Sequence, residues 1–251
     1  MHVRRSISCC ERAHERALRR RRDACRPPVR RWHNVPISHQ YRCIFIHVPK
    51  CGGTSLEDAL GMLRDWRTED AEVLYGRVTS PAWLAMQWRS NFLQHLTWRE
   101  FIQAVPEDRR HGYRSFAFVR HPLHRLASEW ANLDGDLLDY ARARDVELSG
   151  LQFEEFVVRA VRLDHPHLRP QLEFLQGDDG NLAVQEIGRF ESLQQDFARI
   201  CGAMNVRAML PHRNRGVRPR RADMVTARAL ALVAERYKCD FEAFGYQPGC
   251  I

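Results

Sequence analysis

The sequence predicts an α/β fold: one domain in which a central parallel sheet is flanked by helices. Three observations carry this expectation. Short apolar runs suited to buried strands alternate with segments of helical spacing, the pattern of a parallel sheet covered on both faces. A length of 251 residues suits one generous core and would make two full domains cramped. A hydrophobic content of 44% with six tryptophans suits a packed globule.

Charge divides the chain in two. Residues 1–42 hold twelve arginines against three acids (Glu11, Glu15, Asp23), whereas the remainder holds 27 basic and 28 acidic residues. The basic character therefore belongs to residues 1–40, with their Arg19-Arg20-Arg21-Arg22 run and Pro27-Pro28 break, read as a flexible tail ahead of a domain at 41–251. Such a tail either binds polyanions in a salt-sensitive way or is a solvated extension. No stretch reaches the roughly 18 to 20 apolar residues of a membrane span, and no signal-peptide core follows Met1, so a soluble, cytoplasmic protein is expected. Eight scattered cysteines without CxxC spacing indicate neither a zinc site nor a disulfide framework.

The elements follow in order. Ile44 to Val48 reads as a buried strand stopped by Pro49, and Thr54 to Leu63 as a helix with Leu56, Leu60 and Leu63 on one face, capped by Thr54 or Ser55. Pro81 opens a short helix carrying Trp83, Leu84 and Trp88. Thr97 and Glu100 form a capping box for a helix through Ala104, which fixes His95 just ahead of it, and Pro106 to His111 reads as a charged loop. Tyr113 to Val119 suits a central strand; Pro122 then starts a helix through Leu126, Trp130 and Leu133, interrupted at Asp134-Gly135-Asp136. Further helices are expected at Phe153–Leu163, Glu191–Cys201 and Ala222–Tyr237, and a third strand at Leu182–Ile187, closed by Gly188.

Between the first strand and helix, His47-Val48-Pro49-Lys50-Cys51-Gly52-Gly53-Thr54-Ser55 has the makings of an anion site. Backbone N–H groups at a glycine turn and a helix start point at one place, and Lys50 adds full charge. The Walker loop puts its lysine after the glycines; here the order is inverted, and no apolar strand ends in the aspartate that would hold magnesium. A second anion site is suggested at Arg120, on a strand end, with Ser128 two turns into the next helix.

These segments resemble the sulfotransferases, in particular the membrane-type carbohydrate (family 2, uronyl 2-O-sulfotransferase-like) enzymes and their bacterial relatives. The first matches HxPKxGGTS and the second RxPxxRxxSxY, with His121 at a position often Asn or Asp and Trp130 in place of tyrosine. The resemblance implies a P-loop-NTPase-like fold that binds 3'-phosphoadenosine 5'-phosphosulfate (PAPS) as cosubstrate. Lys50, Cys51, Gly52, Gly53, Thr54 and Ser55 would hold its phosphosulfate, and Arg120 and Ser128 its 3'-phosphate; Arg125 matches a further, structural basic position.

His95, six residues before Phe101, matches the general base of the uronyl branch, and Lys50 would act on the leaving oxygen. His167 and Gln171, in a segment like HxxPQ, would line the acceptor cleft; Gly188 to Leu193 and Asp240 to Tyr246 match packing landmarks. The likeness spans residues 41–247 and implies sulfuryl transfer to a hydroxyl acceptor, a saccharide, without a metal. Two other readings remain: a nucleic-acid-binding protein acting through the arginine-rich tail, and a P-loop-like nucleotide kinase. Salt-sensitive polynucleotide affinity would mark the first and magnesium dependence the second.

Overall fold

A computed structural model describes residues 37–61, 67–210 and 225–249. The arginine-rich run and Leu63 lie outside the described residues. Among these residues the sheet has four strands in the order β1 (Ile37–Ser38), β2 (Cys43–Ile46), β3 (Arg114–Val119) and β4 (Glu186–Arg189). The two-residue β1 runs antiparallel to β2, and β2, β3 and β4 are mutually parallel. Because Ile37 is buried at 2% exposure, the sheet begins inside the segment read as tail.

The strands form where apolar residues run unbroken. All four residues of β2 and the last five of β3 are buried, as expected of a sheet covered on both faces. Phe45 and Phe116, paired in register, stack with ring centroids 5.0 Å apart. The third strand lies further along than its apolar residues suggested: Leu182 is 45% exposed and β4 runs through Gly188 instead. A Cβ on Gly188 would sit 2.4 Å from the Phe118 ring, so this register is open only to glycine.

Around the sheet lie α1 (Gly53–Ala59), α2 (Pro81–Leu84), α3 (Trp98–Ala104), α4 (Glu107–Arg110), α5 (Pro122–Ala131), α6 (Gly135–Arg142), α7 (Phe153–Ala160), α8 (Leu172–Leu175), α9 (Leu193–Ala203), α10 (Ala227–Arg236) and α11 (Lys238–Phe244). The capping box at α3 is present in full, Thr97 accepting from the Glu100 amide and Glu100 from the Thr97 amide. Pro81 and Pro122 open their helices as expected.

Two segments differ from expectation. Pro106–His111 contains α4, whose acids precede its arginines in the order the helix dipole favours. Asp134-Gly135-Asp136 starts a helix instead of merely interrupting one: Asp134 accepts from the Asp136 amide and caps α6. The C-terminal aromatics Phe241, Phe244 and Tyr246 are buried and close the core. Among the described residues no helix is long and apolar enough to cross a membrane.

In register, the carboxyl ends of β2, β3 and β4 lead directly into His47, Arg120 and Phe190. Ligands of open parallel sheets sit beyond these ends.

Candidate active site

The loop after β2 turns sharply into α1, where the Ser55 and Leu56 amides donate to the Gly52 carbonyl at 3.0 and 3.2 Å. Lys50 adopts φ +66° and Gly52 φ +86°, and Gly52 takes the N-cap position of α1. The cap is thus Gly52 and neither Thr54 nor Ser55, because the left-handed turn closes earlier. Glycine has no side chain to satisfy the first-turn N–H groups, and none caps this helix, in contrast to α3. Uncapped amides beside a lysine are a cradle for anionic oxygens.

Gly53 is fixed by packing: a Cβ there would lie 1.9 Å from Nε2 of the buried His47, whose ring stacks on Phe45. Gly53→Ala is therefore expected to lower stability by about 1–3 kcal/mol through overpacking, measured by denaturant unfolding. An unchanged midpoint would show that His47 yields freely.

Arg120 follows β3 and is clamped at its backbone by one side chain. The Gln171 amide accepts from the Arg120 N–H and donates to its carbonyl, both at 2.8 Å, and also accepts from the Cys51 thiol at 3.3 Å. Gln171 is itself fully buried and tied to Asp240. Expected to line the acceptor cleft, it instead fixes the strand end, because no atom of it reaches a surface that an acceptor can touch. Burial pushes the Cys51 thiol up to about 12, so it is a neutral donor.

The Arg120 guanidinium donates to the Lys50 carbonyl at 3.2 Å and lies over the Phe190 ring, 4.0 Å from its centroid. Its Nε is buried without a partner. Burial pulls its pKa down, with Cys51 and Glu191 acting the other way. A half-satisfied, desolvated guanidinium suits a bound anion. Ser128 is half-buried on α5, one residue before Glu129. Arg125, wholly buried, donates to the carbonyls of His167 and Arg169 and so braces the loop that carries His167.

A cavity of about 700 Å³ opens beside the loop, with Thr54, His47, His95 and His167 in its lining. His95 ends a short 3-10 turn, Leu93–His95, anchored by the capped α3 behind it. Its Nδ1 lies 3.3 Å from the carbonyl oxygen of His47. A carbonyl only accepts, so Nδ1 carries the proton and Nε2 keeps its lone pair. Burial first, and then the neighbouring His47 and His167, hold the His95 pKa well below its ordinary value, so the ring stays neutral.

Glu129 joins the two halves of the site. It is wholly buried, 2.9 Å from Nδ1 of His167 and 3.7 Å from the Lys50 ammonium, which also donates to the Asn132 carbonyl. Burial alone would raise the Glu129 pKa; the contacts with His167 and Lys50 outweigh it and hold the group below the ordinary carboxylate value. Behind them, His165 accepts from the His167 amide and pairs with Asp136 at 3.3 Å. His47 meets Glu57 at 2.7 Å, off the line of an aligned hydrogen bond.

Lys50, Cys51 and Arg120 are thus directly connected, His95 and His167 share the cavity with Thr54, and Glu129 links the groups. Sequence reasoning missed Glu129, His47 and Phe190. Glu129 had one signal: it lies three residues after Leu126, on the buried stripe of its helix, where an acid is out of place.

Among the described residues, no group of His, Cys, Asp and Glu side chains is arranged to hold a metal ion. No curated protein and no solved structure matches the chain significantly. A family model described as "Sulfotransferase family" matches residues 33–247, nearly the whole of the described fold with every site residue named above, and the chain belongs to that family.

Proposed function

We propose that this protein transfers a sulfuryl group from PAPS to a hydroxyl of a carbohydrate. Family membership supplies the reaction class; the observation that carries the donor is the contact of Arg120 with the Lys50 carbonyl, which brings the two anion-binding motifs side by side. The uncapped start of α1 and the unpartnered Arg120 Nε fit two anionic groups of one nucleotide. In this assignment the Cys51–Ser55 backbone and Lys50 take the phosphosulfate end, and Arg120 with Ser128 takes the 3'-phosphate. Phe190, already under Arg120, adds a flat apolar surface beside it.

The reaction is an in-line displacement governed by positioning and charge stabilisation. The acceptor oxygen forms a bond to sulfur while the bond from sulfur to the phosphate oxygen breaks. The acceptor proton passes to Nε2 of His95, the nitrogen left bare by the carbonyl contact at Nδ1. Negative charge grows on the departing phosphate oxygen, where Lys50 and the loop amides meet it. Glu129 is a positioning residue, holding His167 and Lys50 in place. The positive field comes from the chain's own groups, so no metal is assigned a part.

The test is transfer of labelled sulfuryl from PAPS into neutral, amine-bearing and acidic oligosaccharides, with a chelator present. Incorporation that persists under chelation is the expected result. Magnesium-dependent phosphate transfer from ATP, with no sulfuryl transfer, would establish the kinase reading instead.

A further inference from the structure

The turn from β3 into α5 carries a histidine to which the donor site described above gives no part. From Pro122 to Ser128, the first two turns of α5, every residue is buried except His124 and Ser128. Four residues apart, these two share one face of the helix, a turn from each other. Neither side chain has a hydrogen-bond partner among the described residues. Arg120 leads into the same helix, with its Nε buried and also unpartnered.

The surroundings of His124 are short of free negative charge. Its ring lies 4.8 Å from that of His121, centroid to centroid. His121 is itself 4% exposed and engaged elsewhere, its Nε2 3.0 Å from the Gln247 carbonyl oxygen. Glu191, the carboxylate that acts on His124, has both oxygens occupied, Oε1 by the His121 amide at 2.8 Å and Oε2 by the Tyr246 hydroxyl at 3.0 Å. Burial first, and then His121 and Arg120, hold the His124 pKa below its ordinary value, with Glu191 acting the other way. The imidazole is therefore neutral at neutral pH in the free protein. A phosphate dianion placed at Arg120 reverses the field that keeps it so.

We infer that His124 is a third binding group for the nucleotide's 3'-phosphate, beside Arg120 and Ser128, and that it takes up a proton from solvent as that phosphate arrives; this assignment rests on the sulfuryl-transfer reading for the identity of the ligand. A neutral donor thereby becomes a charged one, and the phosphate gains a charge-assisted hydrogen bond. The free protein holds the proton less tightly than the complex does. Affinity for the bisphosphate therefore rises as pH falls through the window between the free and bound values of His124, until the phosphate itself is protonated. A nucleotide that lacks the 3'-phosphate draws no proton onto this residue.

The test is calorimetric titration of the full chain with 3',5'-adenosine bisphosphate and with adenosine 5'-monophosphate, between about pH 6 and 8. Buffers of different ionisation enthalpy read the protons taken up on binding. Wild type is compared with His124→Gln, which suits a helix and keeps a hydrogen-bonding group without charge, and with His124→Lys, which carries its charge throughout this range. His124→Gln should bind the bisphosphate about tenfold more weakly than wild type at the acid end, take up fewer protons, and bind the monophosphate as wild type does. His124→Lys should restore affinity for the bisphosphate without restoring the proton uptake.

Wild-type affinity and proton uptake in His124→Gln, equal losses for both nucleotides, or a lysine variant as weak as the glutamine one would overturn the inference. The same titrations report separately on the sulfuryl-transfer reading. Bisphosphate binding with no proton uptake at His124 removes this inference alone, whereas failure of wild type to bind either nucleotide removes both.

Discussion

His95→Ala is expected to lose about 10²- to 10⁴-fold in kcat, the usual contribution of a positioned general base, while binding 3',5'-adenosine bisphosphate as the wild type does. The substitution removes the bare Nε2 in the cavity and leaves the Lys50 loop and Arg120 untouched. Its wild-type signature is the pH profile. Because burial and the adjacent histidines hold the His95 pKa well below 6.5, the acid limb of kcat/KM should fall below that pH. The same displacement has a stability consequence. Unfolded His95 takes up its proton near pH 6.5 and folded His95 resists it, so the unfolded state binds more protons in that window. The contribution is present above about pH 6.5 and is lost as pH falls towards the folded value. A His95→Ala variant that kept wild-type turnover and the wild-type acid limb would show that the proton goes elsewhere.

Lys50→Ala is expected to lower kcat by about 10²- to 10³-fold, the scale of removing one donor aimed at developing charge, and to weaken the bisphosphate product far less. The separation follows from chemistry. The product's 5'-phosphate is still held by the loop amides, whereas charge building on the bridging oxygen in the transition state is assigned to Lys50. In the structure the ammonium is held 3.7 Å from Glu129 and hydrogen-bonded to Asn132, at the boundary between loop and cavity. Single-turnover transfer and product titration on the same preparation separate the two effects. Equal losses in both would assign Lys50 to general phosphate binding.

Much of this site was legible because its information is local. The inverted order of Lys50 and the glycines, Pro122 after a buried strand, and the Thr97–Glu100 capping box each specify conformation within a few residues. What could not be read depends on contacts between distant segments. Glu129 gains its meaning only from Lys50 and His167, which approach it from other parts of the chain. Gln171 was assigned by resemblance to the acceptor side, yet its hydrogen bonds run to Arg120 and Asp240, about 50 and 70 residues away in sequence, and leave it fully buried.

The strand bounds tell a similar story. Apolar content favoured Leu182, and Gly188 was read as closing the strand, although the Phe118 ring makes glycine the residue that fits inside it. The interruption at Asp134-Gly135-Asp136 was legible but the start of α6 was not, because Asp-Gly-Asp suits a turn as well as a helix cap and the Asp134 contact with the Asp136 amide decides between them.

The central claim is that two adjacent anion sites, one at the Lys50 loop and one at Arg120, hold a single adenine nucleotide. It is tested most directly by calorimetric titration of wild type and Arg120→Ala with 3',5'-adenosine bisphosphate, alongside adenosine 5'-monophosphate. Wild type should bind the bisphosphate with clear preference, and Arg120→Ala should lose about 2–5 kcal/mol for it, the scale of one desolvated charge contact, together with most of that preference. Equal wild-type affinity for the two nucleotides, or an Arg120→Ala variant that still discriminates between them, would contradict the claim.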